Sequence, residues 1–327
     1  MSCYSFRSSR TLDYHSILPG IVRRVKTELS PWRIHYLYLF GGEREILAQL
    51  RRLARFFCAL LLLLWLPQAV WAHRRPLYIC PEPPADLAAI LDGGELSAQA
   101  PSLVTAETGL SPLAVRQLLA EGRTADILAC QAAFHTPPEA ECRALLPLGV
   151  TCEEWTGSPA VLAPLEPGDL LITFSTHTLG WRHGHAALVI DSETVLEAAM
   201  PGVPSGFAPL DSWRTYPTLL VLRVKSASLE QRTAAVELAL RDLRDVPYGF
   251  SSGLLGEKAA QPPLSSVQCA YLPWYAWFAQ GFDLDSDGGR LVTVADLAAS
   301  PLLEVVQAWG MDPARFSGRW AEEQPPV

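Results

Sequence analysis

The run His183-Gly184-His185-Ala186-Ala187-Leu188-Val189-Ile190-Asp191 constrains the chain more than any other stretch. Its apolar body reads as a short strand, and two imidazoles stand at the entrance. Glu197 follows twelve residues after His185, inside a second strand-like run, Thr194-Val195-Leu196-Glu197-Ala198-Ala199. Much later, Cys269 opens an aromatic-rich segment. A base, a carboxylate that orients it and a thiol are the parts of an acyl-transfer site that works through a covalent intermediate. His183 and His185, two apart on a strand, are expected to face the same side.

Each of these residues also has a plainer role. A lone cysteine is commonly a small buried hydrophobe. It becomes a nucleophile where a helix N-terminus and an imidazolium favour the thiolate. Glu197 without a partner is an exposed strand-end carboxylate. A His-x-His pair with a carboxylate suits zinc, but a third protein ligand is missing nearby. Asp283-Leu284-Asp285-Ser286-Asp287-Gly288 opens like a calcium loop, yet Val294 stands where a bidentate Glu is needed. The segment therefore reads as an acidic turn, and neither a metal nor a cofactor is expected.

Charge divides the chain. Residues 1–72 hold ten basic and four acidic residues, the remainder sixteen and thirty. So acidic a body is unsuited to nucleic acid, whose affinity comes from Lys and Arg on phosphates. The basic part reads as a leader. Arg51, Arg52 and Arg55 precede the apolar run Phe56 to Leu66, and Ala69-Val70-Trp71-Ala72 supplies small residues before a cut after Ala72. That is a secretory signal peptide. Its apolar run is about half of the roughly 20 residues a span needs, so no stable transmembrane anchor is expected. Residues 1–50 are overlong for such a leader, and methionine occurs only at 1, 200 and 311. A start near residues 47–51 at a non-AUG codon would restore ordinary proportions. Export to the periplasm or the extracellular space permits disulfides. Cys80, Cys130, Cys142 and Cys152 could form two bridges in three ways, leaving Cys269 free.

The exported chain changes texture near residue 159. Residues 73–158 read as a small, mostly helical region, disulfide-stapled, with Ser111-Pro112 and Thr136-Pro137 as helix openings. His135 there reads as a surface or packing residue. Residues 159–327 read as strands followed by helices: strands over 169–174, at His185 and Glu197, and over Leu219–Val224, then an amphipathic helix over 229–243. The fold class is α+β with a mostly antiparallel sheet. Tyr271, Trp274, Tyr275 and Phe278 recur with helical spacing and read as core packing, or as the wall of a substrate pocket. Pro273 has no N–H for the Cys269 carbonyl. Either the helix starts at Cys269 with a defect, or Cys269 lies just before a helix opened by Pro273.

The ordered set of short motifs resembles the permuted branch of the NlpC/P60 papain-like superfamily, the YiiX/YaeF-type amidases in particular. The matching pieces are Gly168-Asp169-Leu170-Leu171, His185 leading its strand, Val195-Leu196-Glu197-Ala198, Pro247-Tyr248-Gly249, Cys269 before a helix, and Leu291 to Leu297. They cover about residues 165–305. The resemblance implies a permuted papain-like domain with Cys269 as nucleophile, His185 as general base and Glu197 as the orienting residue. It implies an oxyanion hole that includes the Cys269 backbone N–H. His183 and Tyr248 are accessory candidates. Ala270 and Tyr271 follow the cysteine where many relatives carry Ser and an acidic residue.

The function expected is an exported cysteine hydrolase, an amidase or peptidase. Its substrates would be peptides or acyl-amides, such as peptidoglycan peptides or acylated envelope lipids. The competing reading is a non-catalytic envelope binding or structural protein on the same scaffold.

Overall fold

A computed structural model describes residues 43–73, 78–92, 100–136, 140–146, 150–155, 157–178 and 181–322. The chain divides into two compact units, Met1–Trp65 and Leu66–Val327. Helix α1 (Glu43–His73) runs unbroken for 31 residues through the basic and apolar parts of the expected signal segment. Its Phe56, Leu61, Leu62 and Leu63 are each more than half exposed. Among the described residues, no helix is long and apolar enough to cross a membrane. The earlier part of the leader, residues 1–42, lies outside the described residues.

Among the described residues, α1 is followed in the larger unit by the helices α2 (Leu87–Asp92), α3 (Ala100–Thr108), α4 (Pro112–Ala120) and α5 (Thr124–His135). Helix α4 begins as its letters dictate. Ser111 accepts a hydrogen bond from the Ala114 N–H at 3.1 Å, and Pro112 fills the first turn, where no N–H is needed. Among the described residues the strands are β1 (Ala140–Leu146), β2 (Val150–Trp155), β3 (Leu170–Thr173), β4 (Thr176–Thr178), β5 (Trp181–Arg182), β6 (His185–Val189), β7 (Thr194–Glu197), β8 (Gly206–Pro209), β9 (Leu219–Val224) and β10 (Leu303–Trp309). Helix α6 (Leu210–Trp213) follows β8, and α7 (Leu229–Asp242), α8 (Tyr271–Phe278) and α9 (Val294–Ala299) lie between β9 and β10. Helices α7 and α9 each start on a capping box, Ser228 with Gln231 and Thr293 with Asp296.

Six strands form the central sheet in the order β10-β9-β3-β6-β7-β8, with every neighbour antiparallel. Antiparallel sheets often leave one face to water, but this one is covered on both. Leu171, Ala187, Val189, Val195 and Val221 pack with Val104, Leu118 and Ile127 of the N-terminal helices. The alternate residues Leu170, Ile172, Ala186, Leu188 and Leu220 pack with Ala235, Trp274, Trp277 and Leu297 of α7, α8 and α9. Burial on both sides explains why β3, β6 and β9 read as continuous apolar runs rather than alternating ones. The class is α+β, and the helical region shares a core with the sheet.

Two expectations are corrected. Residues 140–146 form a strand rather than a helix opened at Thr136-Pro137; β1 pairs with β2, which pairs in turn with β4. Ala140, Cys142, Ala144 and Leu146 also satisfy a period of two, and pairing with β2 selects that period over the helical one. The disulfide staple is the second correction. Cys80, Cys130 and Cys152 are not in disulfides, so two bridges do not form; the Cys142 side chain lies outside the described ones. Cys130 is fully buried in the helical layer, and its sulfur meets the Val161 carbonyl and the Gln307 amide at 3.9 Å.

Beside the turn at Pro167-Gly168, a buried ion pair locks β3 to β9. Arg223 Nε and Nη2 donate to the two oxygens of Asp169 at 2.8 and 2.7 Å, and Nη1 donates to Glu166 at 2.6 Å. Asp169 also accepts the Glu166 N–H at 2.8 Å. Both partners of the pair are almost wholly buried. Removing one partner leaves an uncompensated group in the interior. Arg223→Met is therefore expected to cost about 3–5 kcal/mol in a urea melt monitored by far-UV circular dichroism.

Candidate active site

The register of β6 against β7 places the first two side chains. Ala187 lies opposite Glu197, so His185 and Glu197 are diagonal neighbours on one face, within reach of long side chains. His185 Nε2 and Glu197 Oε2 are 3.0 Å apart. Gly184 lets His185 begin the strand there. Its φ is +77°, and a Cβ at that position would lie 2.7 Å from the Thr173 carbonyl oxygen and 2.9 Å from Val294 Cγ1.

The same glycine separates the two histidines. His183 lies outside the strand and is exposed. Its Nε2 meets Thr178 Oγ1 at 2.9 Å and its Nδ1 meets the Gly184 carbonyl at 2.8 Å. The expected same-side pair does not form, because the left-handed residue between them breaks the strand alternation.

Trp213, at the end of α6, went unnoticed in the sequence. It is fully buried, stacks on the His185 ring at 5.2 Å and 19°, and donates its Nε1–H to Glu197 Oε2 at 3.0 Å. One carboxylate oxygen thus meets both the imidazole and the indole. A single Trp in a four-residue helix carries no spacing signal, so only the fold assigns it this place.

Cys269 enters from the loop before α8. Helical conformation already holds at Ala270, and the Leu272 N–H bonds the Gln268 carbonyl. The helix thus starts upstream of Pro273, which sits in the first turn, where a missing N–H is tolerated. Gln268, also unnoticed in the sequence, fastens this turn. Its Oε1 accepts the Ala270 N–H at 2.9 Å and faces the Cys269 sulfur at 3.6 Å, while its Nε2 donates to the Val292 carbonyl at 2.6 Å. Tyr248 is set by a bridge to Val267 and lies beside Cys269. The sulfur also lies beside the His185 ring, close enough to favour its protonated form. Because Nε2 is held by Glu197, Nδ1 is the ring nitrogen left for the sulfur.

The electrostatics follow from these contacts. Burial lowers the His185 pKa but is outweighed by the Glu197 charge, by the hydrogen bonds to Cys269 and Glu197 and by the Cys269 charge, which carry it up to about 10. Burial raises the Glu197 pKa, yet the His185 charge and the bonds from His185 and Trp213 bring it below its usual value. Tyr248 is raised by burial, then by the neighbouring Cys269. His185 and Glu197 therefore stand as an ion pair across neutral pH.

The aromatic stripe on α8 is core except at its end, where Phe278 is exposed. Tyr271, Trp274 and Tyr275 are buried, and the two tyrosine hydroxyls bond the Lys258 and Ala260 carbonyls at 2.8 Å. The acidic turn is committed internally. Asp285 pairs with Lys258, Asp287 accepts the Gly289 N–H at 2.6 Å, and Asp296 accepts from Thr293.

No family model matches the chain, and no curated protein matches it. Among solved structures it is similar to one described as the metalloprotein YiiX from Escherichia coli O157:H7. The TM-score is 0.34 and the identity 17%, over 44% of this chain and 98% of that one.

The ion pair predicts a pH signature. The folded pKa of His185, about 10, lies above its ordinary 6.5, so its stabilisation is complete below pH 6.5 and disappears as pH rises through about 10. Glu197, depressed below 4.5, supports the pair above that pH. Glu197→Gln keeps the shape and removes the charge. The Tm gap between wild type and Glu197→Gln should be widest between about pH 5 and 6.5 and narrow steadily towards pH 10. A gap independent of pH would show that the imidazole is not held charged by Glu197.

Proposed function

We propose that the protein is an exported cysteine hydrolase with a permuted papain-like, NlpC/P60-type domain, cleaving amide bonds through a thioester. The observation that carries this reading is the meeting of Cys269, His185 and Glu197 in one buried cluster, with the imidazole between thiol and carboxylate. His185 already holds its proton, so the sulfur attacks the acyl carbon as the thiolate beside the imidazolium, and the carbonyl electron pair moves onto oxygen. The Cys269 backbone N–H is the donor assigned to that oxyanion. Collapse expels the amine, which takes the proton from His185 and leaves a thioester. Water then gives a proton to His185 and attacks the thioester, and the acid is released as the thiolate leaves beside the recharged imidazolium. Glu197 and Trp213 hold the ring throughout, and Tyr248 sits against the sulfur as a positioning group.

The signal-like segment, with its exposed apolar residues on α1, supports export to the periplasm or the extracellular space. An envelope location makes peptidoglycan peptides or acylated envelope lipids the substrate classes of choice. A second reading, a non-catalytic envelope binding or structural protein, is favoured by one observation: Cys269 is only 7% exposed.

Alkylation by iodoacetamide near neutral pH, read by peptide mass spectrometry, separates the two. Cys269 is expected to react ahead of the buried Cys130 and Cys152. His185→Ala should slow that reaction by on the order of tenfold or more. A Cys269 that stays unmodified in the native protein removes the hydrolase and leaves the binding protein.

A further inference from the structure

The helical layer carries a second group of ligating side chains, and it has no part in the Cys269 chemistry. Cys80 lies in the extended segment before α2, Glu107 is the penultimate residue of α3, and His135 is the last residue of α5. Cys80 Sγ, a Glu107 carboxylate oxygen and a His135 ring nitrogen all lie within 4.8 Å of one another. The backbone supports the grouping, because the Cys80 N–H donates to the Phe134 carbonyl at 2.8 Å. Tyr78, two residues earlier, packs edge-on against Phe134 at 5.9 Å and donates its own N–H to the Gly310 carbonyl at 3.2 Å.

The carboxylate is organised rather than merely present. Glu107 is 5% exposed. Its Oε2 takes Gln131 Nε2 at 2.9 Å, His135 Nε2 at 2.8 Å and the Ala85 N–H at 3.4 Å, which leaves Oε1 outside these bonds. Gln131 is fixed in turn by the Ala85 carbonyl at 2.8 Å. Cys80 lies beside Tyr78 and is anchored by its N–H on the Phe134 carbonyl. Each ligating side chain thus has a neighbour that orients it, as the outer partners of metal ligands do. An imidazole–carboxylate pair by itself would not call for a thiol, and this one has a thiol delivered to it by a separate strand of chain.

We propose that Cys80, Glu107 and His135 form a zinc site that clamps the start of the exported chain onto α3 and α5. Sulfur, nitrogen and oxygen donors from three side chains suit zinc and leave a fourth, open position for water. Calcium and magnesium take oxygen ligands and have no use for the thiol or the imidazole. Binding through Nε2 replaces the N–H that His135 donates to Glu107 by a lone pair on the ion and displaces the Cys80 proton, so affinity falls as pH is lowered. The clamp lies eight residues beyond the expected cut after Ala72, where a new N-terminus would otherwise fray.

The test uses full-length Cys269→Ala protein, reduced and stripped with a chelator, so that the thiol of the other site contributes nothing. Titration with cobalt(II) should give one equivalent of binding, with a sulfur-to-metal charge-transfer band in the near ultraviolet, and zinc should bleach it. Cys80→Ser and His135→Ala should abolish the band, and Glu107→Gln should weaken binding about tenfold or more. In the unsubstituted protein, zinc should protect Cys80 from iodoacetamide and raise the Tm. That arm stands even if a variant folds poorly. A band that survives Cys80→Ser, or millimolar metal that neither gives a band nor protects Cys80, overturns the proposal.

Discussion

A one-residue slip of β7 against β6 would send Glu197 to the opposite face of the sheet and leave His185 with no carboxylate. The register that prevents this is fixed by burial. Val195 and Leu196 are wholly buried on opposite faces, so each has a layer of its own to fill and neither can trade places without a loss. An antiparallel pair with one wet face is specified by one apolar row; this pair is specified by two. The imidazole–carboxylate contact is thus a consequence of packing that happens mostly away from it. Gly184 and Trp213 then refine it, the first by starting the strand at His185 and the second by closing over the ring.

The double covering also decides where chemistry can occur. With helices on both faces, the middle of the sheet is inaccessible, and the ends of its strands are the places where polar side chains meet. His185 stands at the first position of β6, and Cys269 arrives there from the start of α8. The two come from opposite layers of the core in the sense that α8 packs on the Leu170–Ile172–Ala186 side while Trp213 belongs to the other. The imidazole is therefore gripped between elements of both layers, and movement of either would alter its distance from the sulfur.

The letters revealed the parts of this site whose chemistry is unusual for a strand or a loop. His185, Glu197 and Cys269 stand out because base, acid and thiol each need a reason to be near apolar runs, and the fold brings all three together. Helix α4 was legible because its cap is local, a serine followed by a proline, and α7 because its apolar residues recur along one face. What stayed hidden depends on distant partners. Residues 140–146 fit either period, and only β2 decides between them. Trp213 and Gln268 act through neighbours 16 and 24 residues away, with no repeated spacing to betray them. Even cysteine count suggested bridges, whereas Cys130 proves to be a buried core thiol against Gln307, 177 positions distant. His183 illustrates the reverse error. Strand alternation holds only while the backbone is extended, and one glycine at φ +77° ended it.

The stack of Trp213 on His185 has a consequence beyond filling space. An isolated imidazole beside a carboxylate can rotate and present either nitrogen to it. Here rotation about the ring's attachment would have to slide across a fully buried indole and break the Nε2 bond at the same time. The indole cannot retreat easily, because its own N–H is bonded to the same Glu197 oxygen. Three groups thus fix one another: the carboxylate holds both rings, and each ring shields the carboxylate from water. Exclusion of water strengthens the charge interaction that keeps the proton on His185, since the attraction grows as the effective dielectric falls. The fixed orientation of the ring and its elevated proton affinity therefore share a cause, and a change that loosens the indole should weaken both together.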